Sequence, residues 1–182
     1  MKKSKQTAST SNSSRDIIEL IVEDHKPLKK LVKIMKDSEA SLPERRAAFK
    51  EFYPLLSIHA RSEEQVLYKA MKEQVGLREQ AYEGDEEHSL ATQVMEEVMD
   101  ATDVDIWGAK VKVLAELVEH HLKEEEEEHF PRFKKVSSKE ERLALGKKYA
   151  EAIQEINSDD DDVEEPDLNF NQYDHSSTEK HH

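Results

Sequence analysis

The chain has 182 residues and a mass of 21.1 kDa, the size of one domain with tails, which excludes a large multidomain enzyme. Charged residues make up 37%, with 4 Gly, 5 Pro and no Cys, a balance that favours helices and excludes a disulfide scaffold, a thiolate metal site and a cysteine nucleophile. Lys and Arg number 27 against 41 acids, a net charge of −14, which argues against broad contact with nucleic acid or an anionic membrane.

Residues 1–14, MKKSKQTASTSNSS, carry three lysines, no acid and no apolar run of the length a secretory signal needs, and are expected to be disordered. No stretch approaches the roughly 18 apolar residues that cross a bilayer, so a cytoplasmic protein is the default expectation. The folded body is expected over 15–157. In its first helix Ile17, Leu20, Ile21, His25, Leu28, Leu31, Val32 and Met35 recur at steps of three and four. Pro27 removes the bond to the Glu23 carbonyl, which predicts a kink or restart near His25. A second helix opens after Leu42-Pro43 and aligns Phe49, Phe52, Leu56, His59, Glu63, Val66, Leu67 and Ala70, with Pro54 as a second candidate kink.

The third helix is expected near Tyr82 to Ala101, with His88, Ala91, Val94, Met95 and Val98 on one face and Gly76 and Gly84 marking the loop before it. Asp103 or Asp105 is positioned to cap a fourth helix through Trp107, Leu114, Leu117, Val118, His121 and Glu125 towards Phe130. Ser137 and Ser138, three residues before Glu140 and Glu141, form a capping-box pattern for a shorter fifth helix carrying Leu143, Leu145, Tyr149, Ile153 and Ile156. Four helices with short connections predict an all-α, up-down-up-down four-helix bundle, with the fifth helix as an appendage. Residues 158–182 hold nine acids against Lys180 and are expected to be a disordered acidic tail.

The apolar faces hold residues that a dry core excludes. His25, His59, Glu63, His88, His121 and Glu125 all fall on interior positions, where ionisable groups are costly unless paired or bound to a metal. His59/Glu63 and His121/Glu125 are each four apart, one helical turn, so each pair presents an imidazole and a carboxylate from one face. The order repeats: His25 to His88 is 63 residues, while His59 to His121 and Glu63 to Glu125 are 62 each. Two similar hairpins packed about a pseudo-twofold axis bring four His and two Glu towards one point. Two metals bridged by both carboxylates and by one oxo or hydroxo group then have five bonds each, which leaves six-coordinate iron one open position per metal for O2, peroxide or nitric oxide. Imidazole with carboxylate suits iron, and also zinc or manganese.

The order His, H-x-x-x-E, His, H-x-x-x-E resembles the hemerythrin-like (HHE cation-binding) domain family over roughly Asp16 to Phe133. The resemblance implies a non-haem di-iron centre, with His25, His59, His88 and His121 as terminal ligands and Glu63 and Glu125 as bridges. Oxygen-carrying hemerythrins have a further His paired with the third-helix ligand. Here Gly84 and Thr92 flank His88 at four residues on either side, which moves weight from reversible O2 carriage to reactive or sensory members of the family.

Glu126 is a rival to Glu125 for the bridge, His129 lies one turn beyond Glu125 on the same face, and His120 faces outward. Tyr53, Tyr68 and Trp107 read as packing residues, and the tail histidines 175, 181 and 182 as weak cation collectors at most. The expected function is a di-iron protein that binds O2 or a related small oxidant as sensor, store or scavenger. Two alternatives use the same residues: a di-iron enzyme for peroxide reduction or iron delivery and repair, and a helical interaction module that metal staples together. Neither nucleic acid nor membrane is an expected partner.

Overall fold

The computed structural model describes residues 15–160. The expected disordered N-terminal segment, and residues 161–182 of the expected acidic tail, lie outside the described residues. Among the described residues there are five helices and no strand, and no helix is long and apolar enough to cross a membrane.

Helix α1 spans Ile17–Lys36 and is capped by Asp16, whose carboxylate accepts the Ile18 N–H at 3.0 Å. It runs without the restart expected at His25, with Pro27 in its interior. Proline costs a helix about 3 kcal/mol, whereas each fully buried aliphatic side chain contributes roughly 1.5–3 kcal/mol. With Ile17, Ile21, Leu28, Val32 and Met35 all buried, packing outweighs the lost bond.

Helix α2 covers 42–72: α-helical Leu42–Glu63, one π turn at Glu64–Tyr68, and α-helical Lys69–Lys72. A complete capping box of Ser41 and Glu44 opens it, and Pro54 does not interrupt it. Gly76, with φ of 86°, supplies the left-handed turn to α3, Arg78–Asp100. Gly84 lies inside α3, not in the expected loop. A Cβ there would stand 2.5 Å from Cζ of Tyr68, so glycine serves the close approach of α2 and α3.

Helix α4 covers 104–136: Val104–Glu124, a second π turn at Glu125–His129, and Phe130–Val136. Asp103 is its cap, accepting from the N–H groups of Asp105 at 2.9 Å and Ile106 at 3.0 Å. Helix α5, Lys139–Asp160, starts where Ser138 Oγ accepts the Glu141 N–H at 3.1 Å. At 22 residues it is comparable to α1 with 20 and α3 with 23, and it continues past the expected boundary at 157.

The expected appendage is in fact part of the core. Tyr149 is fully buried, Arg142 Nε donates to Asp16 Oδ2 at 2.7 Å, and a Cβ on Gly146 would meet the Arg15 carbonyl oxygen at 2.0 Å. Such close passage pins α5 across the start of α1. Helix α1 packs against α2, α4 and α5, and α3 packs against α4 and the C-terminal half of α2.

The interior is divided in two. One apolar cluster holds Leu28, Met35, Phe49, Phe52, Met95, Trp107, Leu114 and Val118. The other holds Ile17, Ile21, Leu67, Tyr68, Met71, Phe130, Phe133 and Tyr149. Each of the first four helices crosses from one cluster to the other, and at the crossing each carries polar residues: His25 on α1, His59 and Glu63 on α2, His88 on α3, and His121 and Glu125 on α4.

Candidate metal centre

The six polar residues of this middle layer are buried, none more than 3% exposed. They form two overlapping groups, one of His59, Glu63, His88 and His121 and one of His25, His59, Glu63 and Glu125, with the ligand atoms inside each group within 4.8 Å of one another. His25 Nε2 lies 3.3 Å from Glu125 Oε2, His59 Nε2 3.3 Å from Glu63 Oε2, and His88 Nε2 3.6 Å from that same oxygen of Glu63. His121 Nε2 stands 3.6 Å from Glu125 Oε2 and 3.0 Å from His88 Nε2. Two donors each about 2.1 Å from one ion, at ordinary coordination angles, are about 3.0–3.4 Å apart. The layer has nearly that spacing.

Three of the four rings have a fixed orientation. His25 Nδ1 donates to Glu126 Oε1 at 2.8 Å, His88 Nδ1 to Glu64 Oε1 at 3.1 Å, and His121 Nδ1 to Glu87 Oε2 at 2.6 Å. Carboxylates only accept, so each Nδ1 carries the proton and each Nε2 of a neutral ring turns a lone pair inward. Lone pairs of His88 and His121 then oppose each other, which either a cation or one additional proton relieves. His59 Nε2, both oxygens of Glu63, His25 Nε2 and Glu125 Oε2 are also buried without a hydrogen-bond partner. Five orphaned lone-pair atoms in one layer fit a metal, since unpaired buried polar groups otherwise cost about 1–3 kcal/mol each.

The electrostatics pull the two carboxylates apart. Burial and the neighbouring Glu125 charge push the Glu63 carboxyl well above its ordinary range. Burial opposes ionisation of Glu125 as well, but His121 and His25 hold it far below that range. Burial drives the His59 imidazole well below its usual value, and the neighbouring imidazoles add to the effect. His121 moves upward despite burial, because Glu125 and Glu87 favour its charged form.

Glu126 faces His25 Nδ1 and also accepts from Lys29 Nζ at 2.6 Å, outside both ligand groups. His129 is buried yet likewise falls outside them, in a separate group with Glu83 and Glu124. His120 is exposed. Sequence reasoning missed Tyr68, which it read as packing alone. Its ring stacks on His88 with centroids 5.3 Å apart, and its hydroxyl donates to Glu125 Oε1 at 2.8 Å. A buried phenol needs a partner, and the approach of Gly84 that makes room for the ring joins two helices, a relation the sequence does not display. Glu64 and Glu87 also went unnamed, although each adjoins a candidate ligand in the chain. A cavity of about 400 Å3 between α2 and α3 reaches His88 and is bordered by Ser57, Arg61, Asp85, Ser89 and Thr92.

Both π turns lie at the layer, the first directly after Glu63 and the second starting at Glu125. Such wide turns are rare and concentrate at functional sites. No curated protein and no solved structure matches the chain. A family profile, the hemerythrin HHE cation-binding domain, matches residues 16–133, the segment that contains all six residues of the layer and both π turns. The chain thus belongs to the hemerythrin HHE cation-binding domain family, whose members bind metal cations within a helical fold.

Proposed function

We propose that α1–α4 form an up-down-up-down four-helix bundle around two iron ions and an oxo or hydroxo group between them, and that this centre binds O2 or a related small oxidant as sensor, store or scavenger. His25, His59, His88 and His121 are the terminal ligands, and Glu63 and Glu125 the bridges. One observation carries the reading: the Nε2 atoms of His88 and His121 face each other across 3.0 Å inside the buried layer, while Glu64 and Glu87 engage the opposite ring nitrogens. A bound metal pair supplies open coordination positions and electron transfer to a small oxidant.

The chain's own residues do the rest. Glu126, Glu64 and Glu87 hold three imidazoles in the metal-binding tautomer. Tyr68 fixes the Glu125 carboxylate by donating to Oε1. The apolar clusters above and below the layer exclude bulk water, and the cavity beside His88 admits a molecule of a few atoms. On the Gly84 side of His88 the space is filled by the Tyr68 ring, and on the Thr92 side it opens into that cavity.

Anaerobic reconstitution with ferrous salt, followed by atomic emission and absorption spectra before and after O2, tests the reading. Two irons per chain and a new near-ultraviolet band on exposure are expected. A folded chain that takes up no iron overturns it. Steady peroxide turnover that is lost in His59→Ala would add catalysis to binding.

A further inference from the structure

Among the described residues, His129 is the buried imidazole that the middle layer does not use. It is 2% exposed, its Nδ1 has no hydrogen-bond partner, and one of its ring nitrogens lies within 4.8 Å of carboxylate oxygens of Glu83 on α3 and Glu124 on α4. The repeat makes it conspicuous. Sixty-two residues earlier stands Leu67, fully buried in an apolar cluster. A leucine leaves no polar atom unpaired, whereas a buried ring nitrogen without a partner costs about 1–3 kcal/mol.

The second π turn explains how these groups meet. Residues five apart in an α-helix point about 140° away from each other. The wide turn Glu125–His129, with the Phe130 N–H bonded to the Glu125 carbonyl, brings residues five apart towards one face and so brings His129 back over Glu124. Glu83 is exposed and Glu124 partly so, which leaves the group open to solvent on one side and backed by the buried ring on the other. Glu124 also belongs to a neighbouring group with Glu87 and His120, and Glu87 in turn holds His121 Nδ1. A continuous run of carboxylates and imidazoles therefore joins this surface group to the middle layer.

We propose that Glu83, Glu124 and His129 form a separate binding site for one divalent first-row transition-metal ion, with solvent completing its coordination. One imidazole and two carboxylates are the donor set that such ions share, and the site is too rich in oxygen for a soft monovalent ion. The site does not depend on which metal fills the middle layer.

The test uses the full-length chain, first loaded with iron and then titrated with Co2+, with both metals counted after gel filtration and the cobalt d–d absorption recorded. Wild type is expected to retain one more cobalt per chain than His129→Leu, at equal iron content. Glu83→Gln and Glu124→Gln should lose the same equivalent and its absorption. Equal cobalt counts in wild type and all three variants, with cobalt held by the histidine-bearing tail alone, would overturn the proposal. If His129→Leu fails to fold, the exposed Glu83→Gln gives the same reading. Iron counts report the middle layer separately, so a chain without iron that still shows the cobalt difference refutes the di-iron reading and leaves this site standing.

Discussion

The Tyr149 hydroxyl donates to Asp24 Oδ2 at 2.9 Å, and at this hydrogen bond the repeat between the two hairpins breaks. In the repeat His25 matches His88 and Glu126 matches Glu64, and both imidazole–carboxylate pairs form. His121 matches His59 and Glu87 matches Asp24, yet only His121 has its carboxylate. Asp24 is engaged by α5, and His59 Nδ1 is left buried without a partner. The fifth helix thus withholds one orienting group from the layer.

Removing that competition should therefore change how metal is held. Tyr149→Phe keeps the ring in its apolar cluster but releases Asp24 towards His59. The variant is expected to lose about 1–2 kcal/mol of stability with the hydrogen bond. It should nevertheless release metal to a chelator more slowly, by up to about tenfold, because an orienting carboxylate typically changes metal affinity by 10–100-fold. Chelator-driven release at wild-type rate or faster would show that Asp24 does not reach His59.

The three carboxylates already in place give the opposite expectation. Glu87→Ala frees His121 Nδ1 and Glu126→Ala frees His25 Nδ1, so each ring loses its fixed tautomer. Each variant should bind metal roughly 10–100-fold more weakly in a competition titration while remaining folded, since both side chains are only partly buried. Unchanged affinity in both would mean that packing alone orients the rings.

Glu63 predicts effects of opposite sign on metal content and on stability. Neither of its oxygens has a hydrogen-bond partner, and burial with the adjacent Glu125 charge raises its pKa. A buried polar group left without a hydrogen bond costs about 1–3 kcal/mol, a cost that an apolar side chain of similar volume removes. Glu63→Met should raise the melting temperature of the metal-free chain and lower its iron content. Wild type should melt at a lower temperature after chelation, because metal bound only to the folded chain stabilises it. A metal-free Glu63→Met chain that melts below metal-free wild type would contradict the account.

The elements and the middle layer were legible for the same reason. Apolar residues at steps of three and four fix a helix face, and six ionisable residues on such faces stand out against it. What was not legible arises from contacts between distant segments. Gly84 read as a loop signal because a sequence does not display the Tyr68 ring that requires it. The π turns had no composition of their own, so the side on which His129 falls could not be inferred from helical spacing. Tyr149 looked like one apolar residue of an appended helix, although Asp24 is its partner 125 residues away.

Gly84→Ala isolates the role of Tyr68. In an exposed helix the change gains about 1 kcal/mol from propensity, but here the new Cβ would stand 2.5 Å from Cζ and 2.6 Å from Oη of the phenol. Relieving the overlap moves the ring off its stack on His88 and its hydroxyl away from Glu125. Overpacking of this kind costs about 1–3 kcal/mol, so net destabilisation with weaker metal retention is expected. Tyr68→Leu removes the ring and the clash together, and in that background Gly84→Ala should be neutral or stabilising. The double-mutant cycle in urea unfolding measures the coupling. Additive effects would show that Gly84 is not in place to admit the Tyr68 ring.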